Sequence, residues 1–300
     1  MRYHELYKSG ELLRRVRSAY AKLASCDLCP HECGVNRIKG KTGVCCSGLK
    51  PKVASANIHH GEEPPVSGPR GSGTIFLSSC NLRCCFCQNF PISQLGNGEE
   101  ISTLELAARM LKLQRLGAHN VNFVTPSHMV PQILAAIYLA VGQGFELPIV
   151  WNSNGYEMVD ALRLLDGIVD IYLPDMKYAD DAVAEELSGT TDYCRVNRLA
   201  VKEMLQQVGH LQFDFEGVAS RGLIVRHLVL PDGRAGSAET LRWIADELGT
   251  QTHISLMKQY FPAYRAAETT GMSRKITDQE YDEAVDVLEA CGLENGWVQD

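Results

Sequence analysis

From Thr74 onward the chain alternates short apolar runs with amphipathic ones, and this alternation limits the possible folds more than any other feature. TIFLSS (74–79), VNFVT (121–125), PIVWN (148–152), VDIYLP (169–174), GLIVRHLVL (222–230) and HISLM (253–257) read as strands. Patterns at 102–117, 129–142, 157–165, 197–208, 238–248 and 278–291 read as helices, the first with Ser102 or Thr103 to cap it and Gly117 to end it. Strands that are apolar along their whole length are buried on both faces, and parallel strands joined through helices provide that burial. The expectation is an α/β fold, a partial (β/α)6-type barrel, with an open doubly wound sheet as the architectural alternative. Ahead of it, residues 4–24 carry Leu6, Leu12, Leu13, Val16, Ala19, Tyr20 and Leu23 at the spacing of an amphipathic helix. The Gly- and Pro-rich stretch at 61–73 is the natural boundary, dividing a small lobe (1–65) from the barrel (66–300).

In such folds the working residues gather at the C-terminal ends of the strands. Here those ends read CNLRCCFCQN, TPSH, NSNGY, PDMKY, RHLVLPDG and MKQY. A barrel that served only as scaffold has no need of that polarity, so the chain reads as an enzyme. The first end holds Cys80, Cys84 and Cys87 in a Cys-x3-Cys-x2-Cys spacing. In a chain with 11 cysteines in 300 residues, chance produces that spacing only about 0.015 times. Nine of the cysteines lie between Cys26 and Cys87, and Cys194 and Cys291 read as ordinary buried thiols. The N-terminal MRYHELYKSGELLRRVRSAY lacks the apolar core of an export signal, and no apolar run is long enough for a bilayer. The expected compartment is therefore the cytosol, where thiols stay reduced and clustered cysteines suggest metal. A net charge of -7 argues against a nucleic-acid partner held by a basic face.

Three thiolates bind three irons of a [4Fe-4S] cubane and leave the fourth open, unlike the closed four-cysteine clusters of electron carriers. An open iron can chelate the amino and carboxylate groups of S-adenosylmethionine (SAM). One electron into the sulfonium then releases methionine and a 5′-deoxyadenosyl radical. Cys85 offers a different set, although only Cys84 gives the three-then-two spacing, and a structural zinc would need a fourth ligand. A second set, Cys26-x2-Cys29-x3-Cys33-x11-Cys45 with Cys46 as alternate, lies in a Gly- and Lys-rich segment that cannot build a core unaided. Zinc and an auxiliary Fe-S cluster both want four thiolates, so this second metal stays open between them, as does its role as relay, substrate anchor or staple.

Cys80–Cys87, with Phe86 before the last cysteine and CQNF following from it, resembles the radical SAM superfamily. The likeness runs over roughly residues 55–265 and is greatest to the pyruvate formate-lyase activating enzyme branch and its PflX-like relatives. The resemblance implies a site-differentiated cluster, SAM as cosubstrate and an external one-electron donor of flavodoxin or ferredoxin type. It also implies hydrogen abstraction from a protein glycyl residue, or from a peptide or small metabolite. Phe86 joins the SAM site on the same grounds. Thr125-Pro126-Ser127-His128 stands where the superfamily has Gly-Gly-Glu-Pro against the SAM amino group, a contact left to Ser127 or His128. Asn152 and Asn154 fall at the third strand's contact with SAM. Asp175 and Lys177 resemble an Asp-x-Lys near the ribose and methionine, and Arg226 the arginine at the SAM carboxylate. Gln259 and Tyr260 fall near adenine or substrate. His59, His60, Glu62 and Glu63 are either proton-transfer or substrate groups or a solvated turn. The contrasting class is a non-enzymatic metal or redox module.

Overall fold

The computed structural model of the chain describes residues 1–299. The amphipathic segment at 4–24 is two helices, Tyr3–Lys8 and Glu11–Ala21, rather than one. Gly10 separates them at φ 79°, a left-handed backbone that only glycine adopts without strain. The second helix lies against Val130–Val141 and buries Leu12 and Ala19.

Among the described residues ten strands follow: β1 (Lys52–His59), β2 (Ser72–Leu77), β3 (Glu99–Glu100), β4 (Val121–Val124), β5 (Ile149–Ser153), β6 (Ile171–Pro174), β7 (Gln212–Phe213), β8 (Ala219–Leu228), β9 (His253–Met257) and β10 (Gly296–Val298). They form one sheet in the order β10-β9-β8-β6-β5-β4-β2-β1-β3, with β7 on β8. Every step from β2 to β10 is parallel. The six expected strands are β2, β4, β5, β6, β8 and β9. Among the described residues the pairing runs from β3 to β10 without closing on itself.

β1 was not expected as a strand. It pairs antiparallel with β2, although it precedes the stretch read as the boundary. Its sequence, KVASANIH, is polar and half exposed, because only one side of this outer hairpin meets the core. The helices Thr103–Arg115, Val130–Val141, Val159–Arg163, Tyr193–Val208, Ser237–Leu248 and Asp278–Ala290 stand near the expected positions. Ser102 is the cap of the first: its hydroxyl accepts from Glu105 N at 3.1 Å while Glu105 accepts from Ser102 N at 2.7 Å. A further two-turn helix, Asp181–Ser188, was not read from the sequence.

Side chains alternate across a strand, and this sorts the core into two sides. Ile149, Trp151, Tyr172, Leu223 and Val225 face the helices. Val150, Ile171, Leu173 and Ile224 face the other way and pack together around Val66, which comes from the one-turn helix Pro64–Ser67. Continuing that parity toward the C-terminal ends brings up Asn152, Asp175 and Arg226, so the strands that build the inner core also aim these polar groups.

Candidate active site

β2 ends at Leu77, and Ser79 turns the chain at φ 72° into the cysteine loop. The loop is fastened by backbone hydrogen bonds. Arg83 N donates to Ser188 O at 2.9 Å, Cys85 N to Leu187 O at 2.8 Å, and Arg265 N to Cys85 O at 2.8 Å. Cys80, Cys84 and Cys87 then line one cavity with Phe86, Asn152, Asn154, Asp175, Lys177 and Arg226. Cys85 does not line it and is half-buried on another side.

Each of the three sulfurs has a polar partner. Cys80 Sγ accepts from Leu82 N and from Asn154 Nδ2, both at 3.3 Å. Cys84 Sγ accepts from Ser188 Oγ at 3.0 Å, and Cys87 Sγ stands 3.0 Å from Ser93 Oγ. Burial pushes the Cys80 thiol up to about 12, with Cys84 adding to the effect. Burial likewise raises Cys84 to about 11, against the pull of Lys177. Bound iron reverses this balance, because a coordinated thiol is deprotonated outright. Among the described residues no group of three or more His, Cys, Asp or Glu is already closed to hold a single metal ion; the thiols stand around a cavity instead. Three unpaired thiols that share a cavity, each with a polar partner and with no fourth cysteine on its wall, fit a cluster that keeps one iron open.

The wall opposite is a charge network. Arg226 donates to Asp175 Oδ1 through Nε at 2.9 Å and Nη2 at 2.7 Å, and Lys177 Nζ donates to Asp175 Oδ2 at 2.5 Å. Burial alone would raise the Asp175 carboxyl, but Arg226 and Lys177 hold it below the ordinary carboxylate range. Asn152 Nδ2 donates to Glu62 Oε2 at 3.2 Å. Asn154 lines the cavity, yet both its amide hydrogens are committed, one to Cys80 Sγ and one to Asn81 Oδ1 at 2.8 Å. It holds the cysteine loop and has no donor left for a cosubstrate. Gln259 lines the cavity, whereas Tyr260 lies behind Phe86, edge-on at 5.9 Å, with its hydroxyl donating to Met272 O.

Ser127 and His128 do not line this cavity. Thr125 takes φ 59° after β4, which turns the next residues back beneath β2. His128 Nε2 reaches Ser78 O at 2.9 Å, and burial pushes its imidazole down to about 4. Val124 and Thr125 occupy the position expected for them. His227 is also spent, with Nδ1 on Met176 O at 2.6 Å and Nε2 on Ser237 Oγ at 2.9 Å. His59 pairs with Glu62 at 3.0 Å, and His60 is exposed.

Cys26, Cys29, Cys33 and Cys45 line a second, smaller cavity with Arg37, Gly43 and His128, while Cys46 is exposed outside it. Burial raises the Cys29 thiol to about 12, with the other three sulfurs contributing after it. Gly43 is required for this approach, because a Cβ there would stand 2.6 Å from Cys33 Sγ. The set is tied to the first site twice. Arg37, wholly buried, donates to Gly48 O at 2.8 Å and to His128 O at 2.8 Å, and His31 Nε2 contacts Asn81 O at 2.6 Å beside Cys80. Cys194 is buried and Cys291 half-buried, both unpaired and both away from either cavity.

Sequence reasoning missed two contributors to the cysteine site, Ser188 and Ser93. They reach the cysteine sulfurs from 104 and 6 residues away, and no local pattern signals that. Glu157, buried at 3% exposure, accepts from Trp151 Nε1 at 2.9 Å, and burial lifts its carboxyl to about 7.

The chain shares its fold with a solved structure. It superposes on HydG, a maturase of the [FeFe]-hydrogenase, with a TM-score of 0.50 at 10% identity, covering 74% of this chain and 50% of that one. A radical SAM methyltransferase from Sphaerobacter thermophilus aligns with a TM-score of 0.48 at 14% identity, over 75% of this chain and 66% of that one. This chain belongs to the family of MJ0674, an uncharacterized protein of Methanocaldococcus jannaschii. The two are 30% identical over 299 residues, which cover 97% of this chain and 82% of that protein. No protein-family model matches the chain.

Proposed function

We propose that this protein is a radical SAM enzyme that abstracts hydrogen from its substrate. The observation that carries the reading is the cavity on which Cys80, Cys84 and Cys87 meet Asp175, Lys177 and Arg226, with no fourth cysteine on its wall. Cys80, Cys84 and Cys87 would hold the [4Fe-4S] cluster, which would supply the one-electron reduction of SAM. Asn154 and Ser188 donate to the ligand sulfurs and so draw charge from them, which favours the reduced state. Arg226 and Lys177 face the cavity with Asp175 between them, a polar wall suited to the zwitterionic end and ribose of SAM. Phe86 and Met257 give the apolar surface for the adenine.

A protein glycyl residue is the substrate implied by the likeness to activating enzymes, with a peptide or small metabolite as the alternative and a flavodoxin or ferredoxin as donor. Anaerobic reconstitution with iron and sulfide, followed by dithionite and SAM, tests the reading: 5′-deoxyadenosine should form, and a cluster-loaded protein that forms none ends the proposal. Deuterium transfer from a labelled candidate into 5′-deoxyadenosine then names the substrate.

Cys26, Cys29, Cys33 and Cys45 belong to the same proposal as ligands of a second metal. Four thiolates on one small cavity are the ligand set of a structural zinc, and zinc is taken here over an auxiliary cluster. Metal analysis of a protein lacking Cys80, Cys84 and Cys87 checks this. Zinc should remain with no iron, and residual iron would favour the auxiliary cluster.

A further inference from the structure

His31 lies between two of the lobe cysteines, in Cys29-Pro30-His31-Glu32-Cys33, and it touches both cysteine sites. Its backbone N–H donates to Cys29 Sγ, on the smaller cavity. Its ring reaches the other site, 50 residues further along the chain, where Nε2 stands 2.6 Å from Asn81 O. A carbonyl oxygen only accepts, so Nε2 carries the proton and donates it to this bond.

Asn81 O is one end of the Asn81–Leu82 peptide group. The other end is the Leu82 N–H, which donates to Cys80 Sγ at 3.3 Å. A peptide group is planar, so a bond that holds its oxygen also aims its N–H. The same bond polarises the group, and a hydrogen bond accepted at the oxygen strengthens the one given by the nitrogen. The path from the lobe to the ligand sulfur is therefore the His31 ring, one peptide plane and Cys80. Asn81 is wholly buried, and among the described residues no other donor reaches its carbonyl. Its side chain is fixed as well, with Nδ2 donating to Tyr156 O at 2.7 Å and Oδ1 accepting from Asn154 at 2.8 Å. The His31 ring packs edge-on against Tyr156 at 5.4 Å, which sets the direction in which Nε2 points.

We propose that His31 is a positioning residue for the cluster: through the Asn81–Leu82 peptide it aims and strengthens the hydrogen bond to Cys80 Sγ, and so raises the reduction potential of a cluster bound there. The role presupposes that Cys80, Cys84 and Cys87 hold a cluster, as read above. The test is a redox titration of the anaerobically reconstituted protein, followed by electron paramagnetic resonance. The signal to follow is the one lost when Cys80, Cys84 and Cys87 are replaced. His31→Phe keeps a ring against Tyr156 and removes the donor. It should hold as much iron and lobe metal as the wild type, and its midpoint potential should fall by more than the spread of repeat titrations. The fall is expected because a ligand sulfur with a weaker donor disfavours the added electron. His31→Gln restores an N–H at similar reach and should return the potential to that of the wild type. If His31→Phe fails to hold the lobe metal, His31→Asn, too short to reach Asn81 O, takes its place. An unchanged or raised potential in the variant without the donor overturns the proposal. A His31→Gln protein that shifts as far as His31→Phe also overturns it, and would make His31 a packing residue. A wild type that shows no such signal ends the cluster reading and this role together, whereas a wild-type signal that His31→Phe leaves in place ends the role alone.

Discussion

Glu157 offers the most direct test of the energetics of this core. Its carboxyl is buried against Trp151, and burial lifts it from the ordinary 4.5 to about 7. Between those two values the folded chain keeps a proton that the unfolded chain has released. The contribution of Glu157 to stability is therefore fully present below about pH 4.5 and falls as pH rises through about 7, where its loss is complete. At 1.36 kcal/mol per pH unit the whole fall is about 3 kcal/mol. Glu157→Gln removes the titration but keeps a carbonyl oxygen to accept from Trp151 Nε1. The variant should match the wild type near pH 4.5 and exceed it by about 3 kcal/mol at pH 8. Urea unfolding midpoints across that range, taken anaerobically on equally metal-loaded samples, give the comparison. Asp170, raised to about 6, and His128 and His227, lowered to about 4, titrate alike in both proteins and cancel in the difference. A wild-type-to-variant difference that stays flat within about 0.5 kcal/mol from acid to base would refute the argument.

Other changes have equally definite expectations. Arg37→Met strips the donors from Gly48 O and His128 O in a buried setting and should cost about 2–4 kcal/mol by urea unfolding. Gly155→Ala places a methyl group against Asn197 Nδ2 and Asp175 O at φ 71°; it should cost about 1–3 kcal/mol and weaken SAM in equilibrium dialysis. Gly144→Ala, at φ 86° with nothing near its Cβ, is the control and should leave SAM binding unchanged. Ser102→Ala removes the capping hydroxyl of Thr103–Arg115 and should cost about 1 kcal/mol, with faster amide exchange in the first turn of that helix.

The parallel strands could be read from the sequence because each is buried on both sides and so is apolar along its length. β1 escaped that reading because an outer hairpin strand with one wet face carries Lys52, Ser55 and Asn57 in place of a continuous apolar run. The cysteine spacing and the polar strand ends located the cavity residues Asn152, Asp175, Lys177 and Arg226, whose parity on their strands aims them inward. Ser127 and His128 went astray for a backbone reason: the left-handed turn at Thr125 points them under β2, and a turn of that kind leaves no mark on a strand-end motif. Asn154 sits where it was expected but does another task, since its donors are consumed by Cys80 and Asn81. Position along a strand can be inferred from a sequence; which neighbour claims a hydrogen bond cannot.

The backbone bonds that fasten Cys80–Cys87 to Leu187, Ser188 and Arg265 bear on how the protein is made. The loop takes its shape from the polypeptide, so folding need not wait for iron, and a cluster can be handed to a chain that is already folded. A cluster destroyed by oxygen should then be replaceable without unfolding. The iron-free protein should keep the circular dichroism and elution volume of the loaded form. If removing iron from the Cys80–Cys87 site collapses either, the loop depends on its metal after all.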